Sequence, residues 1–204
     1  MKVDLAQFDT IIFDLGGVIL DIDPERTRKA FLKLVSKEEL DEVFANKILV
    51  DFEKGLITQT EFCRGIEKII SVNIDGAIFN RAFNAMLIDY VPKRIERIQL
   101  LRKSHQLFML SNTNEIHHSF FSNKLKKEYG VSFSDLFQHV YLSHKMGLIK
   151  PDLEIYKRVL IEQKLNPEKT LFIEDTKENA DAAKKVGIET LVIPRNGNFY
   201  DYFI

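Results

Sequence analysis

An aspartate stands at the end of a predicted strand and is followed by two glycines. Residues 10–13 all favour β-structure, Asp14 ends the run, and Gly16 and Gly17 break the pattern. An apolar run of this length bounded by glycines is typical of a strand buried on both faces, as in a parallel sheet. A carboxylate at the carboxyl end of such a strand is costly unless it is paired, bound to metal or used in chemistry. The same pattern also serves simply to turn the chain, so a function for Asp14 depends on partners elsewhere in the sequence.

Other polar residues follow predicted strands or lie in a loop between them. They are Ser111 and Asn112 after the strand at 107–110, Lys150 in a loop, and Glu174 with Asp175 after the strand at 171–173. Because the carboxyl ends of parallel strands meet at one edge of a sheet, we expect these side chains to converge with Asp14 in one crevice.

The residue types in this set suit phosphoryl transfer. Carboxylates that share a site repel one another unless positive charge lies between them. Lys150 supplies one charge, and Mg²⁺, which prefers carboxylates, water and phosphate oxygens, would supply more. Ser111 and neighbouring amides suit phosphate oxygens, and Asp14 is then placed as a nucleophile that forms an aspartyl-phosphate. Taken singly, Ser111 could belong to a turn or cap, and the Glu174–Asp175 pair could be an acidic helix start.

Alternating strands and helices predict an α/β fold with a Rossmann-like parallel sheet. Five strands are expected, at 10–15, 107–110, 139–143, 171–173 and 190–193. Between the first two, the pattern changes to amphipathic helices that match a small four-helix bundle in size. The predicted domains are a discontinuous core over 1–20 and 91–204, and an all-helical cap inserted over 21–90.

Composition limits the partners and the cellular location that this chain is expected to have. The chain has 204 residues and a net charge of −1, and its basic clusters are short, so we expect no nucleic-acid partner. The single cysteine, Cys63, excludes an intrachain disulfide and suits a small core residue. Without a signal peptide or a run long enough to cross a membrane, a cytoplasmic protein is predicted, either a monomer or a homodimer. The apolar tail at 198–204 is expected to dock on the core or on another subunit.

The ordered set of motifs resembles the haloacid dehalogenase superfamily over essentially the whole chain. The segments similar to its four motifs are Asp14-Leu15-Gly16-Gly17-Val18, Leu110-Ser111-Asn112, Gly147-Leu148-Ile149-Lys150 and Phe172-Ile173-Glu174-Asp175. The helical insert resembles the cap of subclass I in its position. The tracts Leu-Ser-Asn-Thr-Asn and Gly-x-x-Lys-Pro are most similar to the α-D-glucose-1-phosphate phosphatase-like branch.

The resemblance implies a Mg²⁺-dependent hydrolase of small phosphomonoesters, with sugar phosphates the expected class. It implies that Asp14 is the nucleophile and that Lys150 neutralises both the nucleophile and the phosphate. The implied phosphate-binding residues are Ser111, Asn112 and Lys150. The implied metal ligands are Asp14, the backbone carbonyl of Gly16, Asp175 and, as a second ligand or an outer-shell partner, Glu174.

One position departs from the family pattern. The superfamily's phosphatases carry a second aspartate two residues after the nucleophile as general acid and base, and this chain has Gly16 there. Losing such a group typically slows a reaction by about 10²–10⁴-fold. One alternative is a phosphatase in which Asp23, His117, a cap residue or water protonates the leaving group. The others are a 2-haloacid dehalogenase, which needs no metal, and a non-catalytic protein that binds metal and phosphate.

Overall fold

The computed structural model describes residues 2–70 and 72–204. The strands of this part of the chain are β1 (Thr10–Phe13), β2 (Leu20–Ile22), β3 (Leu87–Tyr90), β4 (Gln106–Ser111), β5 (His139–Leu142), β6 (Thr170–Glu174) and β7 (Glu189–Val192). The α-helices are α1 (Pro24–Phe31), α2 (Lys37–Ala45), α3 (Ile48–Glu53), α4 (Gln59–Glu67), α5 (Gly76–Phe83), α6 (Pro92–Leu101), α7 (Glu115–Tyr129), α8 (Phe133–Leu136), α9 (Ser143–Met146), α10 (Leu153–Gln163) and α11 (Lys177–Lys184).

The main sheet has five parallel strands in the order β5-β4-β1-β6-β7. Each strand lies within two residues of its predicted position, and the predicted Rossmann-like α/β fold is confirmed. The central strand β1 is buried on both faces, because Ile11 and Phe13 pack into one apolar cluster and Ile12 packs into another. Parallel strands linked by crossover helices are covered on both faces, which explains the continuous apolar run.

The helices between β2 and β3, here called the helical segment (residues 24–70 and 72–83), share a second apolar cluster, to which α7 contributes Ile116. The rings of Phe52 and Phe62 stack at its centre, with centroids 4.2 Å apart. The segment has five helices in the described residues instead of the four expected. The additional helix, α3, has six residues, which is too short to show a clear helical period. The division into domains at 20/21 and 90/91 stays a prediction.

A short antiparallel ribbon joins the helical segment to the sheet. Leu20 of β2 pairs with Tyr90 of β3, although the sequence pattern indicated no strand near 87–90. The prediction was wrong there because the partner strands lie about 70 residues apart, and neither has a clear period of its own. The side-chain amide of Asn196 holds the ribbon, accepting from the Ile22 N–H at 2.9 Å and donating to the Ile22 carbonyl at 3.0 Å.

The apolar tail docks on the core of its own chain. Phe199 is fully buried, and its ring lies edge-on to Phe13 with centroids 5.1 Å apart. The Ile204 N–H donates to the Val3 carbonyl at 3.0 Å, so both chain ends are tied together. Among residues 2–70 and 72–204, no helix is both long and apolar enough to cross a lipid bilayer.

Candidate active site

The register of the sheet brings several predicted site residues to one edge. Phe13, the last residue of β1, lies opposite Met109 of β4 and Ile173 of β6. The residues that follow on the three strands therefore lie next to one another. The buried side chains assembled at this edge are Asp14, Ser111 and Glu174.

The Lys150 ammonium bridges two of the carboxylates. Its Nζ lies 2.7 Å from Asp14 Oδ1 and 2.7 Å from Glu174 Oε2. All three side chains are at least nine-tenths buried. The predicted encounter of Lys150 with acidic strand ends is therefore present, and a buried lysine with two charge-assisted hydrogen bonds is held in a single position.

Asn112 fixes the loop that carries this lysine. Its Oδ1 accepts from the Lys150 N–H at 2.8 Å, and its Nδ2 donates to the Lys150 carbonyl at 2.9 Å. Both ends of the Asn112 side chain are thus used within the protein, so its backbone N–H is the group that suits a phosphate oxygen. The Ser111 hydroxyl makes only a long contact of 3.4 Å with the Asn112 carbonyl, which is readily exchanged for a ligand oxygen.

Glu174 is surrounded by donors. Its Oε1 accepts from the backbone N–H groups of Asp175 and Thr176 at 3.0 and 3.1 Å. Its Oε2 accepts from Lys150 and from Asn179 Nδ2, the latter at 3.2 Å. With four donors on one carboxylate, Glu174 is suited to the outer-shell role among the two alternatives that the resemblance left open.

Asp175 is held from two sides. Its Oδ1 accepts from the Thr176 hydroxyl at 3.0 Å, and its Oδ2 accepts from Arg195 Nε at 2.8 Å. Gly17 lies directly against it, with a φ of +78°, and a Cβ at that position would be 2.6 Å from Asp175 Oδ2. The glycine allows the turn after β1 to approach this carboxylate closely.

Asp14, Glu174 and Asp175 form a cluster that fits a divalent cation. Each offers a carboxylate oxygen, and these oxygens lie within 4.8 Å of one another. Burial raises the pKa of Asp14, and the Lys150 charge offsets only part of this. Burial and the charge of Asp14 raise the pKa of Glu174 to about 7. The three carboxylates therefore carry more negative charge than Lys150 neutralises. Mg²⁺, which prefers oxygen ligands, would supply the missing positive charge.

The space beside Gly16 is filled by an apolar side chain. A Cβ built on Gly16 would lie 3.3 Å from Cδ1 and 3.6 Å from Cγ2 of Ile22. Ile22 belongs to β2, and Asn196 holds its backbone in place. A side chain at the position of the family's second aspartate would thus press on Ile22, which would have to move by a few tenths of an ångström.

The two named substitutes for that aspartate have structural roles. Asp23 Oδ1 accepts from the Glu25 N–H at 3.0 Å and caps α1. His117 hydrogen-bonds through Nε2 to the Phe83 carbonyl at 3.2 Å, and its ring stacks on Phe83. Burial lowers the pKa of His117 to about 4, so the ring is neutral at pH 7.

Arg195 was not anticipated as a site residue. It lies beyond β7 in a loop without a recognisable motif, and 20 residues separate it from its partner Asp175. The pairing of β6 with β7 brings the two together. Asn179, by contrast, is recognisable from its spacing after the acidic pair.

Known proteins are similar to this chain in sequence and in fold. The chain is 30% identical over 190 residues to the D-ribitol-5-phosphate phosphatase of Bacteroides thetaiotaomicron, and the match covers 92% of each chain. It is 25% identical to a sesquiterpene phosphatase of Aspergillus oryzae, over 89% of this chain and 87% of the relative. A haloacid dehalogenase family enzyme from B. thetaiotaomicron, solved with magnesium and inorganic phosphate, superposes with a TM-score of 0.89 at 30% identity, covering 95% of this chain and 98% of that one.

The family assignment follows from the sequence match and the fold together. The sequence matches the model of the haloacid dehalogenase-like hydrolases over residues 8–187, which includes all four motifs. The narrower resemblance to the glucose-1-phosphate phosphatase-like branch stays a prediction. The resemblance to the superfamily is confirmed: the chain belongs to the haloacid dehalogenase-like hydrolase family.

Proposed function

We propose that this protein is a Mg²⁺-dependent phosphatase of small phosphomonoesters, sugar and sugar-alcohol phosphates in particular. The observation that carries the proposal is the Lys150 ammonium held 2.7 Å from Asp14, which is one of a cluster of three carboxylates. The phosphatase names of two relatives, one of them a D-ribitol-5-phosphate phosphatase, support the same reaction and the substrate class.

Asp14 is the nucleophile in this proposal. Its carboxylate attacks phosphorus, the bond from phosphorus to the leaving oxygen breaks, and an aspartyl-phosphate forms. Lys150 favours the ionised form of Asp14 and orients it, which matters because a protonated carboxyl group would be a poor nucleophile. The Ser111 hydroxyl and the Asn112 backbone N–H hold the phosphoryl oxygens, and water then releases phosphate and restores Asp14.

The metal site in this proposal consists of Asp14, Asp175 and the Gly16 backbone carbonyl, with Glu174 supporting it through hydrogen bonds. When bound there, Mg²⁺ supplies charge neutralisation for the carboxylates and the phosphoryl oxygens. Arg195 and Gly17 orient Asp175 for this role.

A phosphate-release screen tests the proposal. The purified protein is incubated with a panel of sugar phosphates, sugar-alcohol phosphates and p-nitrophenyl phosphate, with Mg²⁺ and with EDTA. We expect Mg²⁺-dependent release that Asp14→Asn abolishes and that Asp201→Asn, a change of an exposed aspartate, leaves intact. A folded protein that releases no phosphate with Mg²⁺ would contradict the proposal.

The same samples separate the alternatives. Binding of inorganic phosphate with Mg²⁺ but without turnover would instead support a non-catalytic binding protein. Halide release from a 2-haloacid in EDTA would support a dehalogenase, although the cluster of three carboxylates argues for a metal and thus against that activity.

A further inference from the structure

A tight turn after β7 lies against the proposed metal site. Residues 194–197, here called the 194–197 turn, are closed by a hydrogen bond from the Gly197 N–H to the Pro194 carbonyl at 2.8 Å. The second residue, Arg195, donates to one of the three clustered carboxylates. The third, Asn196, has a φ of +62°, a left-handed conformation that asparagine adopts more readily than most residues with a Cβ.

Asn196 uses all four of its polar groups inside the protein. Its side-chain amide forms the two hydrogen bonds to the backbone of Ile22. Its backbone N–H donates to the Gly17 carbonyl at 2.7 Å, and its backbone carbonyl accepts from Arg94 Nη2 at 2.6 Å. One residue thus joins the turn after β1, the strand β2 and the helix α6.

Arg94 holds the same strand from the side of α6. Its side chain is only 1% exposed, and its Nη1 donates to Oδ1 of Asp21 at 2.6 Å. A buried guanidinium that is paired with a carboxylate and a carbonyl is held in one position, because any movement would leave the charge without partners. Asp21 and Ile22 both belong to β2, so α6 and the 194–197 turn are fastened to one strand.

β2 is the strand through which the chain enters the helical segment, and α6 follows β3, through which the chain returns. Asn196 therefore contacts both connections, one directly and one through Arg94. On its other side, the 194–197 turn holds Asp175 through Arg195. A displacement of β2 would consequently move the support of a proposed metal ligand.

We propose that Asn196 is a positioning residue that links Asp175 to β2, so that one turn holds both the metal site and the junction with the helical segment. This assignment rests on the proposed function, in which Asp175 binds Mg²⁺. The two bonds to Ile22 fix the 194–197 turn, and the turn orients the Arg195 guanidinium on Asp175. Because a coupling between two sites is reciprocal, Mg²⁺ binding also stabilises the hydrogen bonds of Ile22.

Mg²⁺ affinity provides the first test. Asn196→Gly removes the bonds to Ile22 but permits the positive φ, so the turn still forms. We expect its affinity, measured by titration calorimetry, to fall at least about tenfold, as is usual when the support of a metal ligand is lost. Asn196→Asp keeps the acceptor for the Ile22 N–H and should retain part of the affinity. In the control Gln138→Ala, a bond of 2.7 Å to the Leu107 N–H is lost at the amino end of β4, and the affinity should not change.

A double variant tests the route through Arg195. Arg195→Met removes the donor to Asp175, so Asn196 has no further means of orienting that carboxylate. In the Arg195→Met background, Asn196→Gly should therefore lower the affinity less than about threefold, because residues that act through one another are not additive. If the two losses add in full, Asn196 contributes to general stability only, and the assignment is wrong.

Hydrogen exchange tests the reciprocal effect. Mg²⁺ should slow exchange of the Ile22 amide by about fivefold or more in the wild-type protein, and this protection should disappear in Arg195→Met. The Leu107 amide, which is also bound by a side chain, should not respond because it lies away from the metal site. Equal slowing at Leu107 would indicate a general stabilisation and would overturn the link, as would an unchanged rate at Ile22.

Both readouts are independent of turnover, so the two proposals can fail separately. If the wild-type protein binds Mg²⁺ but hydrolyses no ester, the phosphatase proposal is wrong, whereas the expected loss of affinity in Asn196→Gly would still support the link. If the wild-type protein hydrolyses esters and Asn196→Gly binds Mg²⁺ as tightly as the wild-type protein, the link is wrong and the phosphatase stands. A wild-type protein that binds no Mg²⁺ contradicts both.

Discussion

Gly17 and Asp175 are in direct contact, so that a Cβ on Gly17 would lie 2.6 Å from the Asp175 carboxylate oxygen. The contact joins the turn after β1 to the acidic residues at the carboxyl end of β6. It leaves Asp175 between the Gly17 backbone and the Arg195 guanidinium, which donates to it at 2.8 Å. The orientation of a proposed metal ligand thus depends on a residue without a side chain.

Gly17→Ala should therefore weaken metal binding and stability together. The positive φ of +78° costs a residue with a Cβ about 1–2 kcal/mol, and the added methyl displaces Asp175. We expect a Mg²⁺ affinity at least about tenfold lower, measured by titration calorimetry. Gly130→Ala is the matched control, because its φ is +69° and no atom lies within 4 Å of the added Cβ. It should lose similar stability without losing affinity, and an equal loss of affinity would contradict this explanation.

Introducing the family's second aspartate at position 16 should not by itself supply a general acid. In Gly16→Asp the added Cβ would lie 3.3 Å from Ile22 Cδ1, a contact tight enough that one of the two side chains has to shift. The double variant Gly16→Asp with Ile22→Ala removes the obstruction. We expect kcat/KM on n-propyl phosphate to rise at least about tenfold above that of Ile22→Ala alone, because a general acid contributes about 10²–10⁴-fold when it is well placed. A single variant as active as the double variant would show that Ile22 is no obstacle.

Asn112→Ala should reduce activity through Lys150. The variant loses the two hydrogen bonds, of 2.8 and 2.9 Å, that hold the Lys150 backbone. A displacement of about 1 Å in a catalytic group costs roughly 10²-fold in rate, so a fall of that order in kcat is expected in phosphate-release assays. Asn112→Asp keeps the acceptor for the Lys150 N–H but loses the donor to the Lys150 carbonyl. Its activity should lie between that of Asn112→Ala and that of the wild-type protein. Equal activity of the alanine variant and the wild-type protein would rule out this role.

His117 should make stability depend on pH in the acidic range. Burial lowers its pKa from 6.5 to about 4, so the unfolded chain binds a proton more tightly than the folded one. The stabilisation is therefore complete above pH 6.5 and is lost as the pH falls towards 4, amounting to at most about 3 kcal/mol. Urea unfolding at pH 7, 5.5 and 4 should show a smaller decline for His117→Phe than for the wild-type protein.

The control for this prediction is an exposed histidine. His139→Gln, on β5, should decline with pH as the wild-type protein does. If His117→Phe also shows the full decline, the dependence on pH arises from other groups.

Much of the fold was predictable because its signals are local. The strand at 10–13 is an apolar run bounded by glycines, and the helix that opens at Pro92 has proline in its first turn. The ribbon between β2 and β3 gave no such signal, since three- and four-residue strands have no measurable period and gain their hydrogen bonds only from each other. The six-residue helix α3 escaped for the same reason.

The sequence by itself determined which residues could perform the chemistry: the aspartate, the lysine and the acidic pair stand at strand ends, and parallel strands bring their ends to one edge. Only the tertiary structure decided how they are supported. It places Ile22 against Gly16, Asn112 around the Lys150 backbone and Arg195 on Asp175. These contacts join residues between 6 and 38 positions apart, and the bond from Ile22 to Asn196 spans 174. Because such contacts arise from the packing of whole elements, no local pattern in the sequence records them.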